Sequence, residues 1–396
     1  MDYLHINTER QLGDLCRSLE SAPHIAFDTE FVSEDTYRPE LCLVQVAAPG
    51  LLAVIDSLAV PDLTPFWQRL AEGNHETLVH AGREEFLFCM RAVGKRPSRL
   101  FDLQIAAGFV GLDYPAGYGS LMARLLGQRP QKGETRTDWR RRPLTRQQLD
   151  YALDDVRYLA PMRDRVHARL DRLGRVTWLA SEMEDWQQDL ESADKRERFW
   201  RTSGISGLSS RSLAIVREVW SWREQEAQRR NQPVRRVLRD DLIVEIAKRA
   251  LADPKQIRLI RGMERGDLQR ALGPLAAAVD RALKLPDKDC PAITHRDWPP
   301  QITVLGQFLS SALSSICHAA EIAPSLVGTA SDVRDLVAHL LGMQPVNGGQ
   351  PVLDTGWRAE VVGQLIHDLL SGKRSIRIAN PLSDDPLVFD VVSHER

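Results

Sequence analysis

His24-Ile25-Ala26-Phe27-Asp28-Thr29-Glu30-Phe31 is the stretch from which the rest of the chain can be read. Its apolar start and alternation predict a strand, whose side chains point to opposite faces in turn. Asp28 and Glu30 then project side by side, while Phe27, Thr29 and Phe31 turn the other way. Adjacent carboxylates repel unless a cation lies between them, and hard oxygen donors suit Mg²⁺ or Mn²⁺. A solvated strand end carries the same pattern, so this segment alone leaves both readings open.

Outward from it, Leu41–Ala47 and Leu51–Ile55 read as two further strands, with Pro49-Gly50 as the turn of a hairpin. Thr77–His80 is a fourth strand, Gly82 punctuates it, and a helix is expected over Glu84–Val93. Arg99–Asp102 is a short fifth strand, and helical periodicity holds from Leu103 to about Ala193. A hairpin followed by strands alternating with helices predicts a mixed α/β sheet flanked by helices. From Leu208 onward the pattern is helical, with an apolar face of Leu213, Val216, Val219 and Trp220 and a break at Pro233. Pro286, Pro291 and Pro299-Pro300 mark a linker. A second all-helical unit follows, interrupted near 345–349, and the tail after Gly372 is expected to fold back as a strand. The expected division is 1–200, 205–287, 298–374 and a tail 375–396.

Apolar residues make up 43% and charged residues 27%, the profile of a soluble globular protein. The start Met1-Asp2-Tyr3-Leu4-His5 lacks the pattern of a signal peptide. No unbroken apolar run reaches the length of a membrane span, since even 302–327 is interrupted by Gln307, serines, His318 and Glu321. The five cysteines are odd in number and none forms a CxxC pair, which argues against disulfides or zinc and for a reducing cytoplasm. Residues 205–285 carry 17 Lys/Arg against 10 Asp/Glu, whereas 1–204 carry 27 against 31 and 286–396 carry 8 against 13. The basic middle is the part expected to attract a polyanion.

Asp150-Tyr151-Ala152-Leu153-Asp154-Asp155-Val156 places Tyr151 and Asp155 four apart, on one helix face. A phenol is a poor base at neutral pH but orients water well; a buried tyrosine beside an exposed acid is the plainer reading. His80-Ala81-Gly82-Arg83-Glu84-Glu85 puts two acids at a helix start, where they also suit the dipole. From Arg124 to Arg146 there are eight basic residues and two acids. Contact with substrate phosphates through Lys132 and Arg136 is one reading, a solvated loop of paired arginines the other. Gly117-Tyr118-Gly119 lacks the third glycine of a dinucleotide loop, and no Walker loop or HExxH pair is present.

Taken together, Asp28-x-Glu30, an acid near 85 and Tyr151-x₃-Asp155 resemble the DEDD exonucleases that have tyrosine in the third motif, most closely bacterial ribonuclease D. Phe27–Val32, Thr36-Tyr37, Leu43-Val44-Gln45, Leu78–Gly82, Phe101–Gln104, Thr137-Asp138-Trp139 and Arg142–Thr145 carry the likeness across roughly 1–195. The resemblance implies an RNase H-like α/β exonuclease domain and hydrolysis with two Mg²⁺ ions, or Mn²⁺. Asp28, Glu30, Glu85 and Asp155 would be the metal ligands and Tyr151 the orienter of water. The product would be a nucleoside 5′-monophosphate. Phe31 offers a face for stacking a terminal base, or else a core contact; His80 is a further candidate at the substrate; Asp102 stands behind the site or makes a structural hydrogen bond. Where the family has Asp, this chain has Glu85, one methylene longer. Residues 208–285 resemble the HRDC module, on Leu213, Val216, Trp222-Arg223-Glu224, Ala227, 233–241 and Ile246-Ala247. Gly356–Glu360 and Gly363 resemble the end of a second such module. The expected partner is RNA with a 3′ end, tRNA precursors first. The protein is expected to be a cytoplasmic monomer with no organic cofactor and no membrane contact. A DNA 3′→5′ exonuclease and an RNA-binding protein weakened by Glu85 are the alternatives.

Overall fold

In the computed structural model, residues 2–128, 137–193, 198–291, 298–343, 349–383 and 385–392 are described. Lys132 and Arg136 lie outside them. The first half forms one mixed sheet of β1 (Leu4–Ile6), β2 (His24–Val32), β3 (Glu40–Ala48), β4 (Leu51–Asp56), β5 (Glu76–Val79) and β6 (Leu100–Asp102). Their order is β1-β4-β3-β2-β5-β6. β3 runs antiparallel to β2 and β4, and the remaining pairs are parallel. The β3–β4 hairpin turns through Pro49-Gly50, and Gly50 takes the left-handed backbone (φ 73°) that the tight turn needs. All five strands expected from the sequence are present within one or two residues. β1 was not expected: it is three residues long with Leu4 and His5 exposed, too short to show alternation.

The helices of this half are α1 (Glu9–Ser18), α2 (Thr64–Glu72), α3 (Arg83–Val93), α4 (Leu103–Gly108), α5 (Tyr118–Leu126), α6 (Arg146–Arg157), α7 (Leu159–Leu173) and α8 (Val176–Ala193). One sheet face buries Phe27, Val44, Val46 and Ile55 in a large core with Phe66, Trp67 and Phe86. The opposite face buries Leu43 and Val54 under Leu149, Ala152 and Leu153 of α6. Strand alternation therefore assigns Phe27 and Thr29 to the main core and Asp28 and Glu30 to the α6 side.

The middle region folds as α9 (Ser210–Arg230), α10 (Val234–Val237), α11 (Asp240–Arg249), α12 (Pro254–Arg258) and α13 (Gly266–Lys284) around a core of its own. Phe199, inside the range 1–200 expected for the nuclease, is buried in that core instead. The C-terminal region contains α14 (Pro300–Ala319), α15 (Pro324–Val327), α16 (Ala330–Leu340), α17 (Gly356–Arg358) and α18 (Gln364–Leu370). It ends in the hairpin β7 (Arg374–Ile378) and β8 (Leu387–Val391). Among the described residues this region shows no separate core: Leu309, Leu336, Trp357 and Ile366 belong to the cluster that underlies the sheet. Trp357 packs edge-on against Phe109, with ring centroids 4.8 Å apart, and donates to Glu182 at 3.0 Å. Arg358 grips the same carboxylate at 2.8 Å with two nitrogens. By length and composition alone α14 is apolar enough to cross a membrane. Yet Ile302, Leu309, Leu313 and Ile316 on it are buried in the main core.

Candidate active site

α6 is placed before it contributes anything. Thr145 caps its N-terminus in a reciprocal box with Gln148. Just upstream, Arg142 grips Asp56 at the end of β4 at 2.6 and 2.7 Å and bonds the carbonyls of Trp139 and Cys42. The helix thus lies across β2, β3 and β4 and brings Asp155 over Asp28 and Glu30. One carboxylate oxygen from each of these three acids lies within 4.8 Å of the others.

Their electrostatics follow from that crowding. Burial, then the neighbouring Asp155, lifts Asp28 to about 7. Burial, with Asp28, Asp155 and Glu85 around it, lifts Glu30 to about 9. Burial and Asp154 lift Asp155 to about 7, against a hydrogen bond from Tyr151 that lowers it. Tyr151 itself is driven far up by burial and by the acids around it, so it stays a neutral donor. It stacks on Trp139, with ring centroids 6.3 Å apart. A cavity of about 530 Å³, lined by Glu30, Phe31, Trp139 and Arg140, opens beside the acids.

This donor set fits a divalent cation. Three hard oxygen ligands converge, each resisting ionisation until positive charge arrives. Behind them lies Gln45, directly across the β2–β3 ladder from Asp28. Its amide is fully buried, and neither end has a partner among the described residues. A buried amide seldom goes unmatched, and here it stands beside the central carboxylate of the group.

A 3′-5′ exonuclease family model matches residues 3–171, and an HRDC domain model matches residues 212–279. The chain is 34% identical over 367 residues to ribonuclease D of Granulibacter bethesdensis, covering 91% of this chain and 90% of that one. It is 32% identical over 375 residues to ribonuclease D of Nitrobacter hamburgensis, with 94% and 96% covered. Its fold superposes on the crystal structure of Escherichia coli RNase D with a TM-score of 0.80 at 28% identity, over 94% of this chain and 99% of that chain.

The chain belongs to the ribonuclease D family.

As a ribonuclease D family member it is a 3′→5′ exoribonuclease, with an exonuclease domain, an HRDC domain and a mostly helical C-terminal region. Of the residues singled out in this ribonuclease, Asp28, Glu30, Asp155 and Tyr151 come together. Glu85 does not join the trio of carboxylates. Its carboxylate accepts a hydrogen bond from the Thr29 hydroxyl, on the core side of β2. It still lies near enough for Asp28, after burial, to help raise it to about 8. Glu84 is turned away and pairs with Arg83 and Arg91. Phe31 lines the open cavity and packs edge-on against Phe88, with centroids 5.8 Å apart.

His80 holds its Nε2 2.9 Å from the Ala116 carbonyl and packs its ring edge-on against Tyr118. Asp102 accepts from the backbone N–H groups of Ala81, Gly82 and Gln104 at 3.1, 2.8 and 2.8 Å. That grip holds Ala81 in a left-handed backbone (φ 55°). At Gly82 a Cβ would meet Val79 Cγ2 at 2.4 Å. Asp102 thus fixes the turn from which α3 and Glu85 start. In the basic stretch, Arg124, Arg140, Arg142 and Arg146 are each paired with a nearby acid. Sequence reasoning assigned no role to Gln45, Thr29 or Trp139. The signal for Gln45 was available: it is the one polar residue inside the apolar run Leu41–Ala47 apart from Cys42.

Proposed function

We propose that this exoribonuclease releases nucleoside 5′-monophosphates one at a time from the 3′ ends of tRNA precursors and other structured RNAs. Asp28, Glu30 and Asp155 would hold two divalent cations, Mg²⁺ or alternatively Mn²⁺, with Glu85 supporting them from the Thr29 side. Such cations lower the pKa of water and neutralise charge on the attacking and leaving oxygens. Tyr151, a neutral donor in reach of Asp155, orients the attacking water. The water oxygen bonds to the terminal phosphorus, the P–O3′ bond breaks, and the shortened RNA keeps the 3′-oxygen with a proton. Phe31, at the cavity wall, offers a face on which any terminal base can stack.

The observation that carries this reading is the approach of Asp28, Glu30 and Asp155 within 4.8 Å beneath Tyr151. End-labelled tRNA precursor incubated with Mg²⁺ should lose mononucleotides to the natural chain and none to Asp28→Asn. Equal release by both would defeat the assignment. The names of the relatives favour RNA over DNA, and rival RNA and DNA oligomers of one sequence check that through the 2′-hydroxyl.

A further inference from the structure

A cleft of about 510 Å³ lies between the nuclease half and the HRDC domain. On one side it is lined by the segment that follows β2, with Ser33, Tyr37 and Arg38, and by Arg91 of α3. On the other it is lined by Arg198, Arg201 and Trp220. The acids that line it are Glu224 and Asp240. Asp240 is engaged by Arg223 at 2.6 Å, and Glu224 accepts from the Tyr37 hydroxyl at 3.2 Å with Arg223 at 3.8 Å. Arg91 has Glu84 at 4.0 Å. Among the described residues five arginines line the cleft against these two acids, and Arg38 and Arg201 are exposed. Thr202 also lines the cleft, and its hydroxyl is buried without a partner among the described residues.

Arginines around aromatic faces are what a single-stranded nucleic acid requires: charge that follows the backbone, and rings that take bases of any sequence. The position adds to this. Ser33 lines both this cleft and the cavity that contains Glu30. Ser33 stands three positions on from Glu30, roughly 10 Å at the rise of a strand. An RNA whose 3′ end reaches the acids must lead its remaining length away, and here a cationic channel adjoins the cavity.

We propose that this cleft binds the single-stranded RNA segment 5′ of the last two nucleotides, with Arg38 and Arg201 on its phosphates and Trp220 against a base. The proposal rests on the exonuclease reading of the acidic site. It makes the seam between the two domains a part of the substrate path rather than a mere joint.

The test compares the natural chain with the double variants Arg38→Ala/Arg201→Ala and Arg38→Lys/Arg201→Lys. Each is assayed on a dinucleotide, too short to reach the cleft, and on a longer unstructured RNA. Binding of the longer RNA is also followed by fluorescence anisotropy in EDTA across a salt series. Removing two phosphate contacts should reduce the slope of log affinity against log salt by about 1.4, at roughly 0.7 per contact for single strands. The Ala variant should lose affinity and kcat/KM on the long RNA, keep its dinucleotide turnover, and be largely rescued in salt slope by Lys. An unchanged slope, or equal impairment on the dinucleotide, overturns the proposal. A lowered melting temperature with an unchanged slope would make the cleft a domain joint only, which also overturns it. If the natural chain cleaves neither substrate while the slope still shifts, the cleft stands and the exonuclease reading falls.

Discussion

The Thr29 hydroxyl donates to the Glu85 carboxylate across the core side of β2, tying the start of α3 to the strand that carries Asp28 and Glu30. The longer side chain at 85 is therefore not idle: it is anchored one residue from the strand face that carries Asp28 and Glu30. Thr29→Val removes the donor and leaves a buried carboxylate without its partner. Unfolding free energy from urea titration should drop by about 1–3 kcal/mol. Thr29→Ser should retain most of it. A Thr29→Val chain as stable as the natural one would mean that the contact is incidental.

Gln45 should show opposite effects in the absence and presence of metal. Replacing a buried, unmatched amide by Leu removes a desolvation cost, so Gln45→Leu in EDTA should be at least as stable as the natural chain. Groups behind metal ligands typically contribute about 10–100-fold in affinity. Calorimetric titration with Mn²⁺ should show a loss of that size. A loss of apo stability with unchanged Mn²⁺ affinity would assign Gln45 to packing alone.

Acidity gives a third expectation. Burial, chiefly, raises Asp28 and Asp155 to about 7 from 3.8, and Glu85 to about 8 and Glu30 to about 9 from 4.5. The folded chain thus holds protons that the unfolded chain has already released, so without metal its stability must fall as pH rises from about 4 to about 9. Cations displace those protons, so affinity for Mg²⁺ should climb over the upper part of that window. Melting temperatures in EDTA and in Mg²⁺ should diverge as pH increases. Parallel curves would show that the acids are not crowded in solution.

The C-terminal region should prove inseparable from the nuclease. Leu309, Leu336, Trp357 and Ile366 complete the core beneath the sheet, and Gly363 is packed so closely that a Cβ would meet the Leu353 carbonyl at 2.3 Å. Trp357→Ala should cost about 3–5 kcal/mol. A chain cut after residue 291 should expose that apolar surface and aggregate or lose cooperative melting. A truncated nuclease with native melting would refute this.

Much of the catalytic arrangement was legible because it rests on local periodicity. Asp28 and Glu30 share a face through the two-residue repeat of β2, and Tyr151 and Asp155 through the four-residue spacing of α6. What was hidden depends on the other end of a contact. Whether Glu85 meets a cation or Thr29 is decided by a strand 56 residues away. The ring of His80 is set by a carbonyl 36 residues on. The arginines near α6 looked available for phosphate, yet Arg142 is committed to Asp56, and only the sheet brings those two together. The shared core of the C-terminal helices was equally invisible, since helix faces reveal that they are buried but not against what.

That shared core has a consequence for the order of synthesis. The HRDC helices, with their own apolar centre, can fold as soon as they emerge from the ribosome. The nuclease, although it comes first in the chain, shares its core with Trp357 and Ile366, so its interior is completed only once those residues have been translated. A nascent ribonuclease that stays unfinished until its distal helices arrive has little opportunity to trim the RNAs that surround the translating ribosome.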